Sequence, residues 1–227
     1  MGTLYLVRHG QASFGAANYD QLSPLGQQQC LQLGRWFKAR GRRFAAVITG
    51  TLQRQLQSQA AIAEGLGDAG QGKEKPPLQL PGLNEYDSHA VIAAVHPQPL
   101  GKPTTPEAYR AHFQLLRQGL AAWMAGTTQP VGMPGYAAFV AGVNDALDRA
   151  RATAGGDVLM VSSGGPIATA VGQVLGTAPE MTIELNLRIR NSAVTEFVFN
   201  PKRHNLLSFN TLPHLDAEAF ADWVTYT

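Results

Sequence analysis

Arg8, His9 and Gly10 follow directly on the apolar run Leu4-Tyr5-Leu6-Val7, and Ser162, Ser163 and Gly164 follow in the same way on a second apolar run that starts at Asp157. An apolar, β-rich run that stops abruptly at polar residues is the pattern of a buried parallel strand delivering side chains to a sheet edge. Ligands of open α/β sheets bind beyond the carboxyl ends of such strands, which makes these polar residues the first candidates for chemistry. Their types suit an anion. A guanidinium matches phosphate geometry with two donors and keeps its charge, and a neutral imidazole is a competent nucleophile near neutral pH. Taken alone, Arg-His-Gly fits equally well an arginine and a histidine that cap a strand end.

The elements around these residues read as an α/β chain. Ser23-Pro24 supplies an N-cap and a first-turn proline, and Leu25, Leu31, Leu33, Trp36 and Phe37 give an apolar helical face that Gly41 ends. Ala45 to Ile48 reads as a second buried strand, and Thr51 opens a helix with Leu52, Leu56, Ala60 and Ile62 on one side. This β-α-β-α order predicts a parallel sheet. Gly65 to Pro81 reads as a surface loop, and residues 86 to 135 as a mostly helical, lid-like insertion whose clearest helix runs from Glu107 to Met124. Ala137 to Ala154 is a further amphipathic helix, and Val194 to Phe199 with Leu206 to Phe209 alternates like a hairpin of half-buried strands. The expected fold class is a three-layer α/β/α sandwich around a mostly parallel sheet, in a single domain over residues 1–227.

Composition narrows the partners. A chain of 227 residues, 44% of them hydrophobic, can bury one substantial core. Its 18 Lys and Arg balance 16 Asp and Glu without basic runs, which argues against nucleic acid. Cys30 is the single cysteine, so neither an intrachain disulfide nor a thiolate metal cluster can form. With no stretch of membrane-spanning length and no leader pattern after Met1, the expectation is a cytoplasmic protein without a membrane partner. No metal and no cofactor are expected, and the oligomeric state stays open.

Further segments extend the pattern of the two strand ends. LVRHGQASFG at the N-terminus, LSPLG at 22–26, TLQRQLQS at 51–58, LNEYD at 83–87 and VSSGG at 161–165 together resemble the histidine phosphatase (phosphoglycerate mutase-like) superfamily over nearly the whole chain. The resemblance implies that His9 attacks a phosphoryl group and becomes a phosphohistidine, while Arg8 and Arg54 hold phosphate oxygens. It implies that Glu85 protonates the leaving alkoxide and then activates water. It also places Ser13, Ser163 and Gly164 around the phosphate. A carboxylate in such a pocket gains a raised pKa from nearby negative charge, as a general acid requires.

One position departs from the family. Where a second histidine is usual, this chain has Ser163. Loss of one such donor typically costs about 100- to 1000-fold in rate, although a hydroxyl at a helix N-terminus can still donate to phosphate. His89, near Glu85, is the nearest replacement in sequence, and an exposed loop histidine is an equal reading of it. If the pocket admits an imidazole, Ser163→His should improve turnover.

Two other patterns fail. Gly67 to Lys73 matches most of a phosphate-binding loop, but Glu74 stands where Ser or Thr would bind magnesium and the segment follows a helix. A serine hydrolase built on Ser162 or Ser163 with His214 lacks the flanking glycines of a nucleophile elbow and leaves Arg8-His9-Gly10 unexplained. The expected activity is therefore hydrolysis of a small phosphomonoester through His9, slowed by Ser163. The alternatives are a non-catalytic phospho-ligand binder and a phosphoglycerate mutase.

Overall fold

The computed structural model describes residues 1–13, 20–67, 76–101, 103–153 and 155–226. Strand β1 (Gly2–Arg8) is buried on both faces because its apolar residues serve two cores in alternation. Leu4 and Leu6 point into one, Tyr5 and Val7 into the other. It pairs in parallel with β4 (Asp157–Ser162), with Leu4 opposite Val158 and Arg8 opposite Ser162. On the far side of β4 lie β2 (Phe44–Thr49) and then the two-residue β3 (Leu78–Gln79), both parallel. β5 (Val194–Phe199) runs antiparallel to β1, and β6 (His204–Thr211) antiparallel to β5. The six-stranded order is β3-β2-β4-β1-β5-β6: a parallel core with an antiparallel hairpin at one edge, as the sequence pattern predicts.

Helices α1 (Pro24–Ala39) and α2 (Gln53–Leu66) cover one face, packing Leu33, Phe37, Ile62 and Leu66 against Tyr5, Val7, Leu159 and Val161. Ser23 caps α1 as expected, its Oγ accepting the Gly26 N–H at 3.0 Å. The opposite layer comprises α3 (Ser88–Ala93), α4 (Pro106–Met124), α5 (Tyr136–Ala152), α6 (Gly164–Leu175) and α7 (Pro179–Asn186). From residues 86–135, Val91, Ile92, Leu116, Leu120 and Trp123 join the same core as Leu4, Leu6, Val158 and Met160. Trp123 is central there, its ring 5.1 Å from that of Tyr136 and 5.2 Å from that of Phe139.

The expected surface loop from Gly65 to Pro81 needs correction at both ends. α2 continues through Gly65 to Leu66, and Leu78–Gln79 forms the edge strand β3. Gly65 serves a helix crossing: a Cβ there would strike the Leu31 carbonyl of α1, and one on Gly34 would strike the Ile62 carbonyl of α2. Most of the glycine-rich segment read against a phosphate-binding loop, residues 68–75, lies outside the described residues.

Candidate active site

β1 and β4 end side by side, and the His9 N–H donates to the Ser162 carbonyl at 2.9 Å. The chain then turns toward α2. Gly10 N–H donates to Ser58 Oγ at 3.0 Å, and Ser58 Oγ donates to the Arg54 carbonyl at 2.7 Å. Gly10 also lies against the backbone of Gly26 in α1, where a Cβ on either glycine would collide with main-chain atoms. The glycines of the RHG and LSPLG segments are therefore a steric pair that lets α1 approach the turn carrying His9.

His9 is 3% exposed. Its Nδ1 lies 2.7 Å from the Gly10 carbonyl oxygen, which can only accept, so the ring proton is assigned to Nδ1 and the lone pair to Nε2. Arg54 Nε donates to that Nε2 at 3.3 Å. Burial first, then the charges of Arg8 and Arg54, hold the imidazole pKa well below its ordinary value, outweighing the opposing effect of the Gly10 carbonyl. His9 is thus a neutral base with its free electron pair turned toward a guanidinium.

Arg54 lies in the first turn of α2, and Asp20 lies over the same helix end. The Asp20 carboxylate accepts from Arg54 Nη1 at 2.7 Å and from the Gln53 N–H at 2.9 Å. It occupies the place where backbone donors and helix dipole favour an anion. Arg8 donates through Nη1 to the Ile189 and Tyr226 carbonyls, the latter at 3.1 Å.

Glu85 follows a 3₁₀ turn at Pro81–Leu83, and its carboxylate accepts the Gly165 N–H of the first turn of α6, at 3.0 Å to Oε1 and 3.3 Å to Oε2. A Cβ on Gly165 would overlap Glu85 and the Tyr86 ring, so glycine is needed for this approach. Burial raises the Glu85 pKa, and Arg8, Arg54 and the backbone donors offset part of that rise. His9 and Glu85 both feel the charges of Arg8 and Arg54. Beside Glu85 a small cavity of about 20 Å³, near the size of one water, lies among Tyr86, Trp123, Tyr136, Phe139, Gly165 and Asn186.

Ser163 is the N-cap residue of α6 and fully buried. Its Oγ accepts from Gln55 Nε2 at 2.9 Å. The same Nε2 donates to the Leu83 carbonyl at 2.8 Å, which also accepts Ser162 Oγ at 2.8 Å, and Gln55 Oε1 accepts the Leu52 N–H at 3.2 Å. Gln55 joins the helix of Arg54, the turn before Glu85 and the end of β4. Sequence reading passed over it; its one signal is a glutamine beside Arg54.

Gly164 stays beside the site, where a Cβ on it would lie 3.6 Å from Glu85 Oε2, and the remaining candidates make contacts of their own. Gly164 is the first helical residue of α6, packed toward Asn186 so that a Cβ would lie 2.7 Å from its Oδ1. Ser13 donates its hydroxyl to the Leu22 carbonyl at 3.0 Å, which commits that hydrogen to the residues just before α1. His89 is exposed at the start of α3. His214 pairs through Nε2 with Ser192 Oγ at 2.9 Å, both residues being buried. Ser192 sits at φ 56° and gives its N–H to the His9 carbonyl at 3.1 Å. Among the described residues no group of histidine, cysteine and carboxylate side chains is placed to hold a metal ion, and no helix is long and apolar enough to cross a membrane.

The family model of the histidine phosphatase superfamily (branch 1) matches residues 4–212. The chain belongs to that superfamily. A 2,3-bisphosphoglycerate-dependent phosphoglycerate mutase of Methylorubrum populi is 31% identical to this histidine phosphatase relative over 98 residues, 37% of this chain and 46% of that protein. The chain thus matches about half the length of that curated relative. Among solved structures, phosphoserine phosphatase of Entamoeba histolytica in complex with 3-phosphoglyceric acid aligns with a TM-score of 0.63 at 22% identity, over 95% of this chain and all of the other. The alpha-ribazole phosphatase of Shigella flexneri aligns with a TM-score of 0.59 at 20% identity, over 92% and 96% of the two chains. At these identities the likeness establishes the superfamily fold.

Proposed function

We propose that this chain hydrolyses a small phosphomonoester through a phosphohistidine on His9. The observation that carries the reading is the pair of contacts His9 makes, Nδ1 against the Gly10 carbonyl and Nε2 against Arg54 Nε, which assign the proton to Nδ1 and leave the Nε2 lone pair facing the guanidinium. An imidazole arranged this way attacks without first losing a proton. As the Nε2–P bond forms and the P–O bond breaks, positive charge develops on the ring, and the Gly10 carbonyl is already aligned on the Nδ1–H.

Arg54 turns from Nε2 to a phosphoryl oxygen when the substrate enters, and Arg8 supplies a second fixed charge. Glu85, protonated at the start, gives its proton to the departing alkoxide. The resulting carboxylate then takes a proton from water, whose oxygen attacks phosphorus; the P–N bond breaks, inorganic phosphate leaves and His9 is neutral again. The helical segment from 86 to 135, which carries Trp123 beside Tyr86, covers the leaving-group side as a lid-like layer.

Incubation with a reactive phosphodonor tests the reading. Wild type should acquire an acid-labile, base-stable phosphoramidate and release phosphate from a generic phosphomonoester, and His9→Ala should do neither. Turnover that survives in His9→Ala overturns it.

A further inference from the structure

Ser163 and Gln55 form a buried polar pair for which the reaction above has no use. Both side chains are fully buried, and the Gln55 amide is saturated: Nε2 donates to Ser163 Oγ and the Leu83 carbonyl, while Oε1 accepts from Leu52. An amide nitrogen can only donate, so the Ser163 oxygen is the acceptor in this contact. Its own hydrogen therefore points elsewhere. Among the described residues it is donated to none.

A buried hydroxyl hydrogen without an acceptor is costly in a resting protein and useful in one that binds an anion. Ser163 directly follows β4, which lies between β1, the strand that leads to His9, and β2, the strand that leads into α2 and Arg54. We propose that Gln55 and Ser163 act as one donor: the Gln55 amide fixes the serine oxygen, and the serine O–H is presented to a phosphoryl oxygen held by Arg8 and Arg54. Ser163 is then a catalytic residue and Gln55 a positioning residue. The inference rests on the phosphohistidine reading and deepens it.

The physics favours coupling. A hydroxyl that accepts from an amide becomes a better donor, because the chain of hydrogen bonds polarises in one direction. Donation to a charged oxygen strengthens as the transition state accumulates charge. Gln55 does not touch the phosphate, yet its loss should be felt in kcat. Its contact with Leu83, two residues before Glu85, also keeps the turn carrying the acid in register with the serine.

A double-mutant cycle on the whole chain tests the pair, with a generic phosphomonoester for kcat and KM, orthovanadate for affinity, and circular dichroism to confirm folding. Ser163→Ala and the near-isosteric Gln55→Met should each lower kcat and vanadate affinity by about 10- to 150-fold, the range of one hydrogen bond to a charged group. The double variant should lose no more than the worse single. Gln55→Glu adds a readout that a structural role would not move. Its ionised carboxylate accepts the serine hydrogen and turns it from the phosphate, so activity should be low at neutral pH and recover toward acid, where the protonated acid can donate again. This variant also carries the test if Gln55→Met does not fold. Full kcat in Gln55→Met, additive losses in the double variant, or a Gln55→Glu profile parallel to wild type overturns the proposal. If these variants are silent while His9→Ala is inactive, the pair alone is wrong; if His9→Ala stays active, the reading beneath it is wrong as well.

Discussion

Arg54 Nε donates to His9 Nε2 across 3.3 Å, so in the proposed reaction the atom that would attack phosphorus is occupied, before substrate arrives, by the group that would hold the phosphate. On the proposed reaction, binding and activation would be one exchange. In that reaction a phosphoryl oxygen that takes the Arg54 Nε–H would release the lone pair it covered, while Asp20 keeps hold of Nη1 of the same guanidinium.

This exchange predicts the behaviour of Arg54 variants. Arg54→Lys keeps a charge and loses the planar fork, so kcat/KM should fall about 100-fold or more, by analogy with the loss of one fixed transition-state donor. Arg54→Ala also removes one of the charges that lower the His9 pKa. That pKa should rise in the variant yet stay below its ordinary value, because burial is the larger cause. A histidine NMR titration of both proteins reads the shift directly; an unchanged His9 pKa would sink the account.

Glu85 should control the alkaline side of the rate profile. Its pKa is raised by burial, so the protonated acid persists to higher pH than in an ordinary glutamate and the rate falls as it ionises. Burial and the charges of Arg8 and Arg54 hold the His9 pKa well below its ordinary value, so the acid limb is displaced downward from where a free histidine would put it. Glu85→Gln should flatten the alkaline limb and cut turnover of an alkyl phosphate by about 100- to 10,000-fold, the range of general acid catalysis. An aryl phosphate, whose leaving group needs little protonation, should suffer much less. Equal losses on both substrates would contradict proton donation by Glu85.

Ser163→His is a sharper test than the sequence allowed. Read from the motif alone, the change restores a missing donor. In the structure Ser163 is fully buried and Gln55 Nε2 lies 2.9 Å from its oxygen, so the ring must displace Gln55. The single variant should lose activity and about 1 to 3 kcal/mol of stability, as overpacked cores do. Gln55→Ala combined with Ser163→His should regain turnover relative to Ser163→His. Urea unfolding with phosphomonoesterase kinetics decides it, and a fully active, fully stable single variant would show that room exists.

How much of this was legible in the chain depends on what each residue does. The strands were legible because residues such as Leu4 to Val7 are apolar on both faces, and α1 because Ser23-Pro24 states its start. The strand-end position of His9 and Ser163 followed from the same pattern. Gly65 misled, since a glycine that permits helices to cross looks in sequence like one that ends a helix. Gln55, Asp20 and Ser192 were missed for a common reason. Their roles are hydrogen bonds to residues far along the chain, Ser163, Arg54 and His214, which no local period encodes.

The Ser192–His214 pair carries the last prediction, on acid stability. Burial pushes the His214 pKa down to about 3 in the folded chain, against an ordinary value of 6.5. Below about pH 6.5 the unfolded chain therefore binds a proton that the folded chain refuses, and stability falls as the pH falls toward 3. The slope from this one group is about 1.4 kcal/mol per pH unit. His214→Gln removes the titrating ring and leaves an amide that can still reach Ser192. The variant should be less stable than wild type at pH 7, by about 1 to 3 kcal/mol for an altered buried contact, but its stability should decline less steeply between pH 6 and 4. Because Ser192 gives its N–H to the His9 carbonyl, acid loss of this pair should loosen the turn that carries the nucleophile. Urea unfolding at intervals from pH 7 to 4 measures both slopes. Parallel slopes would show that His214 takes up its proton without leaving the fold, and the buried neutral ring would no longer account for acid lability.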